Sequence, residues 1–529
     1  MKIPKYLEEI INKLEEGGYD AWIVGGCVRD LLLEKEPNDW DITTSATPEE
    51  MLKIFPDGHY ENDFGTVILP IKNEVGENLD AIEVTTFRSE QGYSDRRRPD
   101  EVVFEKDVEA DLARRDFTIN ALAMKKADSK IVVKDDLKEF IIPFQSITLR
   151  RSLSKEDSAG VSRQSPLAGD SDKTNVKDDW IILDLFGGVK DLGKKMIRAV
   201  GEPMDRFKED SLRMMRAIRF SAQLNFKIEE KTERAILKMA GALKFIARER
   251  IAIELVKILK SDRPYEGIMA LHETKLLQYI IADLEQGVGI DQSRHHIYTV
   301  FEHDVLALKH CPNKEWQVRF AALIHDIGKP KTKKIINGIA TFYNHEYVGA
   351  KLADKICRNL KFSADDTFRI ANLVRNHMFY YNAGEVTAAS VRRLIKKVGR
   401  ENLKDLIDLR IADRLGSGTP KAEPYKLRHL QYMFERVQND PVSVKMLKIN
   451  GTDLMDDLKI PPSPKLGEIL DVLLGEVIEN PENNEKEFLL SRARELNEMN
   501  SAELRARAKD LIEEKREEED KKMKRGYKV

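Results

Sequence analysis

The run VGGCVRDLLLEKEPNDWDITT at residues 24–44 forces an apolar strand to end on a glycine pair, turn at once into a helix, and return as a second strand carrying acids. Side chains two apart on a strand share a face, so Asp39 and Asp41 project together while Trp40 points the other way. Two carboxylates held that close repel unless a divalent cation lies between them. Gly25 and Gly26 let backbone N–H groups at a helix start approach a phosphate, and the helix dipole favours its charge. Arg29, one turn into the helix, is within reach of a phosphate oxygen. A glycine turn or a DxD strand end has an ordinary structural account when taken alone. In this order they fit phosphoryl transfer assisted by two Mg²⁺ ions, with Asp39 and Asp41 as ligands.

The surrounding pattern sets the fold class. Short apolar runs alternate with helical stretches from residue 21 to 124 (AWIVGG, CVRDLLL, DWDITT, TPEEMLKIF, FGTVILPI, LDAIEVTTF), which predicts a mixed sheet with helices. Residues from about 128 to 180 are rich in Ser, Lys and Asp, cannot supply a core, and read as a flexible insertion. From Asp205 onward nearly every segment has the spacing of an amphipathic helix. The whole reads as α+β, a head of mixed sheet and helices followed by an all-α body. A chain of 529 residues supports several cores. The expected divisions are a head at 1–200, a helical neck at 201–290, a second helical unit at 291–415 and a helical C-terminal region at 416–529. The charged end of that last region reads as a solvated helix fraying into a tail.

Net charge is only -3, so any RNA contact must come from local basic patches. Cys27, Cys311 and Cys357 lack the spacing of a zinc site or a disulfide scaffold and indicate a reducing, cytoplasmic compartment. The N-terminus reads as an amphipathic helix and no apolar run is long enough to cross a bilayer, so no membrane association is expected.

GGCVRD followed by DWDI resembles the polymerase-β-like nucleotidyltransferase superfamily. DLARRDFTINALAM at 111–124 and EDSLRMMRAIRFSAQLNFKIE from Glu209 narrow the resemblance to the class II tRNA nucleotidyltransferases (CCA-adding enzymes) and bacterial poly(A) polymerases, over about residues 5 to 260. Leu212, Met215 and Ile218 mark one face of a predicted helix, and Asp210 and Arg213, three apart, another. A surface salt bridge is the plain account. A fixed carboxylate–guanidinium pair can also read a base edge, because cytosine and adenine both offer an amino donor beside a ring-nitrogen acceptor. Uracil and guanine reverse that order and would leave buried groups unpaired at roughly 1 to 3 kcal/mol each. The resemblance assigns base reading to Glu209, Asp210 and Arg213, nucleotide binding to Arg216 and Arg219, and a place beside the incoming nucleotide to Arg115 and Asp116. It also associates a flexible loop, here within 87–102, with the switch from C to A addition. It implies tRNA, CTP and ATP as partners. Poly(A) synthesis, or addition of CC or A alone, are alternatives on the same head. Glu83 precedes that loop, and strand alternation alone leaves its direction open.

A second constellation lies in the helical body: His303, the doublet His325-Asp326 in AALIHDIGKPK, His345, His377 and Asp413. A lone histidine on an apolar helix is more often a core residue, but imidazoles with carboxylates in this series suit Mg, Mn, Ni, Co or Fe. The order resembles the HD-domain phosphohydrolase superfamily over about residues 295 to 415. That resemblance implies hydrolysis of a phosphate ester by metal-activated water, with Lys329 stabilising developing charge, for repair of RNA 3′ ends. The alternative from another class is a phosphohydrolase whose head only binds nucleotides.

Overall fold

The computed structural model describes residues 3–62, 65–72, 78–91, 101–127, 135–144, 180–292, 297–379, 382, 386–438 and 447–529. Its head strands are β1 (Ala21–Val24), β2 (Asp41–Thr44), β3 (His59–Asn62), β4 (Thr66–Lys72), β5 (Asn78–Thr86), β6 (Arg88–Gln91), β7 (Glu101–Phe104), β8 (Ala123–Lys126), β9 (Ile141–Pro143) and β10 (Trp180–Leu183), and among the described residues two short strand pairs follow them. Eight of the ten form one sheet in the order β3-β4-β5-β2-β1-β8-β10-β9. Only β2 and β5 run parallel in it, and the other pairings are antiparallel.

Alternation along β1 sorts the two faces. Ala21 and Ile23 enter the main core with the amphipathic Lys5–Glu16 helix, whose Leu7, Ile10, Ile11 and Leu14 are buried on one stripe. Trp22 and Val24 point to the opposite face, into a smaller cluster with Phe87, Val108, Leu112 and Leu183. Register carries the sorting across the sheet. Ile23 lies opposite Ile42, and Ile42 opposite Val84, all on the main-core face, whereas Val24, Asp41 and Glu83 are partners on the other. The acids therefore stand on the face of the smaller cluster.

Two expectations change in the head. Strand β2 begins at Asp41, so Asp39 occupies the bend before it rather than the strand. The span read as an insertion contains ordered chain: a 3₁₀ helix at Asp135–Phe140 leads into β9, which pairs with β10 at the sheet edge. The pairing works because Ile141 and Ile142 supply apolar register partners to Leu183 and Ile182. Residues 145–179, the Ser-rich part, lie outside the described residues, as do 92–100 of the arginine-bearing loop.

Helices dominate from Pro203 onward. The main core continues unbroken from Leu7 to Phe434, through both the 287–293 and the 415 positions where composition shifts. A separate core, built from Leu447 to Ala508, closes the chain. The charged C-terminal segment does not fray. It forms a single helix at Ser501–Tyr527, capped by Asn500 accepting from the Glu503 amide, and Met523, Tyr527 and Val529 pack back onto the main core. A few apolar residues anchor its two ends, Leu504 and Ala508 at one and Met523 and Tyr527 at the other, a pattern too sparse for composition to reveal.

Candidate active site and metal centre

Where β1 turns into the Gly26–Leu32 helix, the two glycines differ. Gly25 adopts φ 84° and ψ -133°, a region that side chains strain to occupy. A Cβ there would lie 2.7 Å from Nη1 of Arg115 and 3.6 Å from Oδ2 of Asp41. Its N–H is already committed to the Leu122 carbonyl at 3.0 Å, so Gly26 is the glycine whose amide opens the helix. The turn thus brings the Arg115 guanidinium and the Asp41 carboxylate to one spot. Asp41 faces Glu83 across the parallel β2–β5 pair, which settles the direction that alternation left open. Burial pushes the Asp41 carboxyl above its usual range, Arg115 opposes this, and Asp39 and Asp111 add to it. Asp39 is exposed.

Around these acids the arginines are held by partners distant in sequence. Arg29 is nearly buried, bonded to Asp30 and, at 2.7 Å, to Asn120. Its guanidinium lies beside the glycine turn, with Nη2 3.5 Å from where a Cβ on Gly26 would stand. Arg115 pairs with Asp111 at 3.1 Å. Asp116 accepts from Asn120, from the Phe117 amide and from Arg216. Burial works against its charge, but Arg216, Asn120 and Arg213 outweigh burial and bring it down to about 2. Arg219 turns inward to a buried pair with Glu254 at 2.9 Å, where burial lowers it to about 10 against the pull of that acid. The guanidinium carbons of Arg29, Arg216 and Arg219 lie 5.2, 5.4 and 4.3 Å from the Phe220 ring centre.

The residues expected to read the base do not share a helix. The Arg213–Leu224 helix begins at Arg213, and Asp210 sits before it in extended conformation, capping the Pro203–Glu209 helix. Asp210 takes both terminal nitrogens of Arg250, the closer at 2.7 Å. Arg213 donates to Glu209 at 2.5 Å and to the Arg114 carbonyl at 3.0 Å. The Asp210–Arg213 salt bridge of the plain account is absent among the described contacts. Each member is fixed by a different partner.

The second constellation converges. His303 comes from the Val300–Lys309 helix, His325 and Asp326 from the end of Trp316–Ile324, His345 from the start of His345–Asn359, His377 from the end of Ala364–Asn376, and Asp413 from Leu403–Gly416. All six are buried. Asp326 stands between two groups. Its Oδ2 lies 3.3 Å from Nε2 of His303 and 3.4 Å from that of His325, and its Oδ1 lies 3.2 and 3.6 Å from those of His345 and His377. Asp413 joins the first group, 3.3 Å from His303. Nδ1 of His325, His345 and His377 each faces a backbone carbonyl, of Ala322, Phe342 and Val374, at 2.9, 2.8 and 2.7 Å. Those bonds place the ring hydrogen on Nδ1 and aim the Nε2 lone pairs inward. Nε2 atoms 3.0 Å apart, as in His303 and His325, have one proton or one cation to share. Burial disfavours charge on His303, yet Asp326 and Asp413 raise it to about 10. Lys329 bonds Asp326 and Gln292, both at 2.5 Å.

Comparison with known proteins follows this geometry along the chain. The sequence is 32% identical to the CCA-adding enzyme of Enterococcus faecalis over 93% of this chain and 97% of that protein. It is 31% identical to that of Ligilactobacillus salivarius over 92% and 95%. The chain belongs to the CCA-adding enzyme family. It is thereby a nucleotidyltransferase with an α+β fold. The crystal structure of the Bacillus stearothermophilus CCA-adding enzyme in complex with CTP superposes with a TM-score of 0.55 at 26% identity, covering 94% of this chain and 98% of that one. A model of the poly A polymerase head domain matches residues 21–138, starting at the first residue of β1. A model described as "Probable RNA and SrmB- binding site of polymerase A" matches residues 225–287. A model for tRNA nucleotidyltransferase domain 2 matches 336–493, which takes in His345, His377 and Asp413 but begins after His303, His325 and Asp326. Several residues that organise this CCA-adding family member escaped the sequence reading: Asn120, Phe220, Arg250, Glu254 and Asp304. Arg250 and Glu254 lie four apart on the Arg248–Lys260 helix, a spacing that marks a shared face but gives no sign of the partner.

Proposed function

We propose that this chain adds C, C and A to the 3′ end of tRNA from CTP and ATP without a nucleic-acid template. The observation that carries the reading is the meeting of Asp41, Glu83 and Arg115 at the positive-φ glycine turn, with Asp39 in the bend beside them. These acids fit Mg²⁺: Asp41 is half-buried, disfavoured as an anion first by desolvation and then, against the pull of Arg115, by Asp39 and Asp111, and gains from a cation. Among the described residues they converge less tightly than the second centre, where ligand atoms lie within 4.8 Å of one another, and exposed Asp39 has the freedom to close the difference. When bound, Mg²⁺ neutralises the triphosphate and makes the RNA 3′-hydroxyl a better nucleophile. Gly25, Gly26 and Arg115 border the path of the triphosphate. Arg29 and Arg216 build the wall around Phe220, and Asp116 fixes Arg216. Asp210 and Arg213, held by Arg250 and Glu209, present an acceptor and a donor whose positions are set before a base arrives, the preorganisation that selecting C and A requires. The division into head (1–200), neck (201–290), HD unit (291–415) and C-terminal region (416–529) belongs to the same proposal.

The helical centre supports a second activity, hydrolysis of a phosphate ester at an RNA end. Its support is the inward Nε2 set around bridging Asp326, which fits two divalent cations (Mg, Mn, Ni, Co or Fe). When bound, such ions polarise a phosphoryl oxygen and activate water. Lys329 holds Asp326 in place and brings positive charge to the same spot. The test is a double dissociation in the full chain. Asp41→Ala abolishes extension of tRNA ending at the discriminator base and leaves hydrolysis of a 2′,3′-cyclic phosphate intact, and His325→Ala does the reverse. Extension that arrests after C, C and A supports the reading, a long A tract from ATP alone replaces it with poly(A) synthesis, and loss of both activities in either variant refutes two separate centres.

A further inference from the structure

One buried acid beside the helical centre has no role in the ligand set. Asp304 follows His303 on the Val300–Lys309 helix, is 0% exposed, and neither of its carboxylate oxygens has a hydrogen-bond partner. Its Oδ1 stands 3.3 Å from Nδ1 of His325, the same nitrogen that faces the Ala322 carbonyl at 2.9 Å. A carboxylate enclosed without a donor is costly unless positive charge is brought to it. The His325 ring is the route by which that charge arrives. A cation at Nε2 withdraws electron density and makes Nδ1–H a stronger donor, while a carboxylate at Nδ1 makes the ring a stronger ligand. Asp326 serves both ligand groups through its two oxygens, and Asp413 adds an acid to the first group, 3.3 Å from Nε2 of His303. Nδ1 of His345 and His377 points at carbonyls of Phe342 and Val374, and Glu346 stands 3.8 Å from Nδ1 of His345. Asp304 therefore adds to the difference between the groups, through the ring of His325.

We propose that Asp304 is a positioning residue that acts through His325 to favour a divalent cation at the His303–His325–Asp326 group over the Asp326–His345–His377 group. The inference rests on the metal-centre reading above. It is tested by Mn²⁺ titration of the full chain against a chromophoric chelator in two backgrounds, with thermal unfolding in EDTA and CTP incorporation as checks on folding. His345→Ala disables the second group and His303→Ala the first. Adding Asp304→Asn is expected to weaken the cation retained in the His345→Ala background by roughly 10–100-fold and to leave the one retained in the His303→Ala background unchanged. Asp304→Leu, which removes the charge and is at ease when buried, gives the same result should the amide fold poorly. No change in the first background, or an equal loss in both, overturns the role of Asp304. A wild-type chain that binds no Mn²⁺ overturns the metal-centre reading itself.

Discussion

Replacing Gly25 and Gly26 by alanine, one at a time, separates what the fold needs from what a ligand needs. At Gly25 the backbone lies at φ 84° and ψ -133°, which costs a residue with a Cβ about 1–3 kcal/mol. The new methyl would also sit 2.7 Å from the Arg115 guanidinium, so that group must withdraw by several tenths of an ångström. Its ion pair with Asp111 stretches from 3.1 Å, adding about 0.5–1.5 kcal/mol. The sum, about 1.5–4.5 kcal/mol, corresponds to a fall in Tm of roughly 2–5 °C for a core that runs from Leu7 to Phe434. Gly26 lies outside the positive-φ residues, and a Cβ there meets nothing closer than Nη2 of Arg29 at 3.5 Å, an ordinary contact. Gly26→Ala should stay within about 0.5 kcal/mol of the parent. Differential scanning calorimetry and single-nucleotide CTP extension on both variants make the comparison. Gly25→Ala unfolding together with Gly26→Ala would refute the argument from backbone geometry. A tenfold loss of kcat/KM in Gly26→Ala at unchanged Tm would locate the triphosphate against its Cα.

Arg219 is expected to act through packing: Arg219→Met alone should cost about 3–5 kcal/mol in urea unfolding by stranding Glu254, and Arg219→Met with Glu254→Met should recover most of it. Arg250→Ala releases Asp210, so discrimination of CTP against UTP should fall by about tenfold or more in steady-state extension assays, with unchanged discrimination counting against the held-carboxylate account. Asp116, brought down to about 2 in the folded chain, contributes stability that is fully present above its unfolded pKa near 4 and is lost as pH falls toward 2. Asp116→Asn should thus be about 2 kcal/mol less stable than the parent at pH 7, and the gap should narrow between pH 4 and pH 3; a gap independent of pH would contradict the assignment.

What the sequence disclosed was whatever local spacing encodes. The glycine pair and the DxD acids use neighbouring residues of distinctive chemistry, the histidine series recurs at helix-length intervals, and the amphipathic stripe of Leu7, Ile10, Ile11 and Leu14 follows directly from helical period. The misses have a common physical origin in pairings across long chain separations. Glu83 shares a face with Asp41 because β2 and β5 run parallel, and parallel pairing leaves no local mark. Asp210 and Arg213 are three apart, yet a helix start falls between them, and the partner of Asp210 is forty positions onward at Arg250. Asn120 likewise joins Arg29 to Asp116 through contacts visible only once the sheet is assembled. The charged C-terminus misled composition because three apolar anchors among many charges suffice to dock it.

That C-terminal helix has a mechanical consequence. At 1.5 Å per residue its 27 residues span about 40 Å, leaving the second core near Leu504 and returning to the Tyr425–Gln438 helix, where Asp520 meets Tyr432 and Arg428 donates to the Tyr527 carbonyl at 3.2 Å. The second core is thereby fastened at two points, by the chain that enters it and by a stiff rod that comes back. Any shift of the second core relative to the Tyr425–Gln438 helix must therefore move the far end of this rod as well. Cutting the chain after Ser501 would remove the rod and with it the hold of Asp520 and Tyr527 on the Tyr425–Gln438 helix.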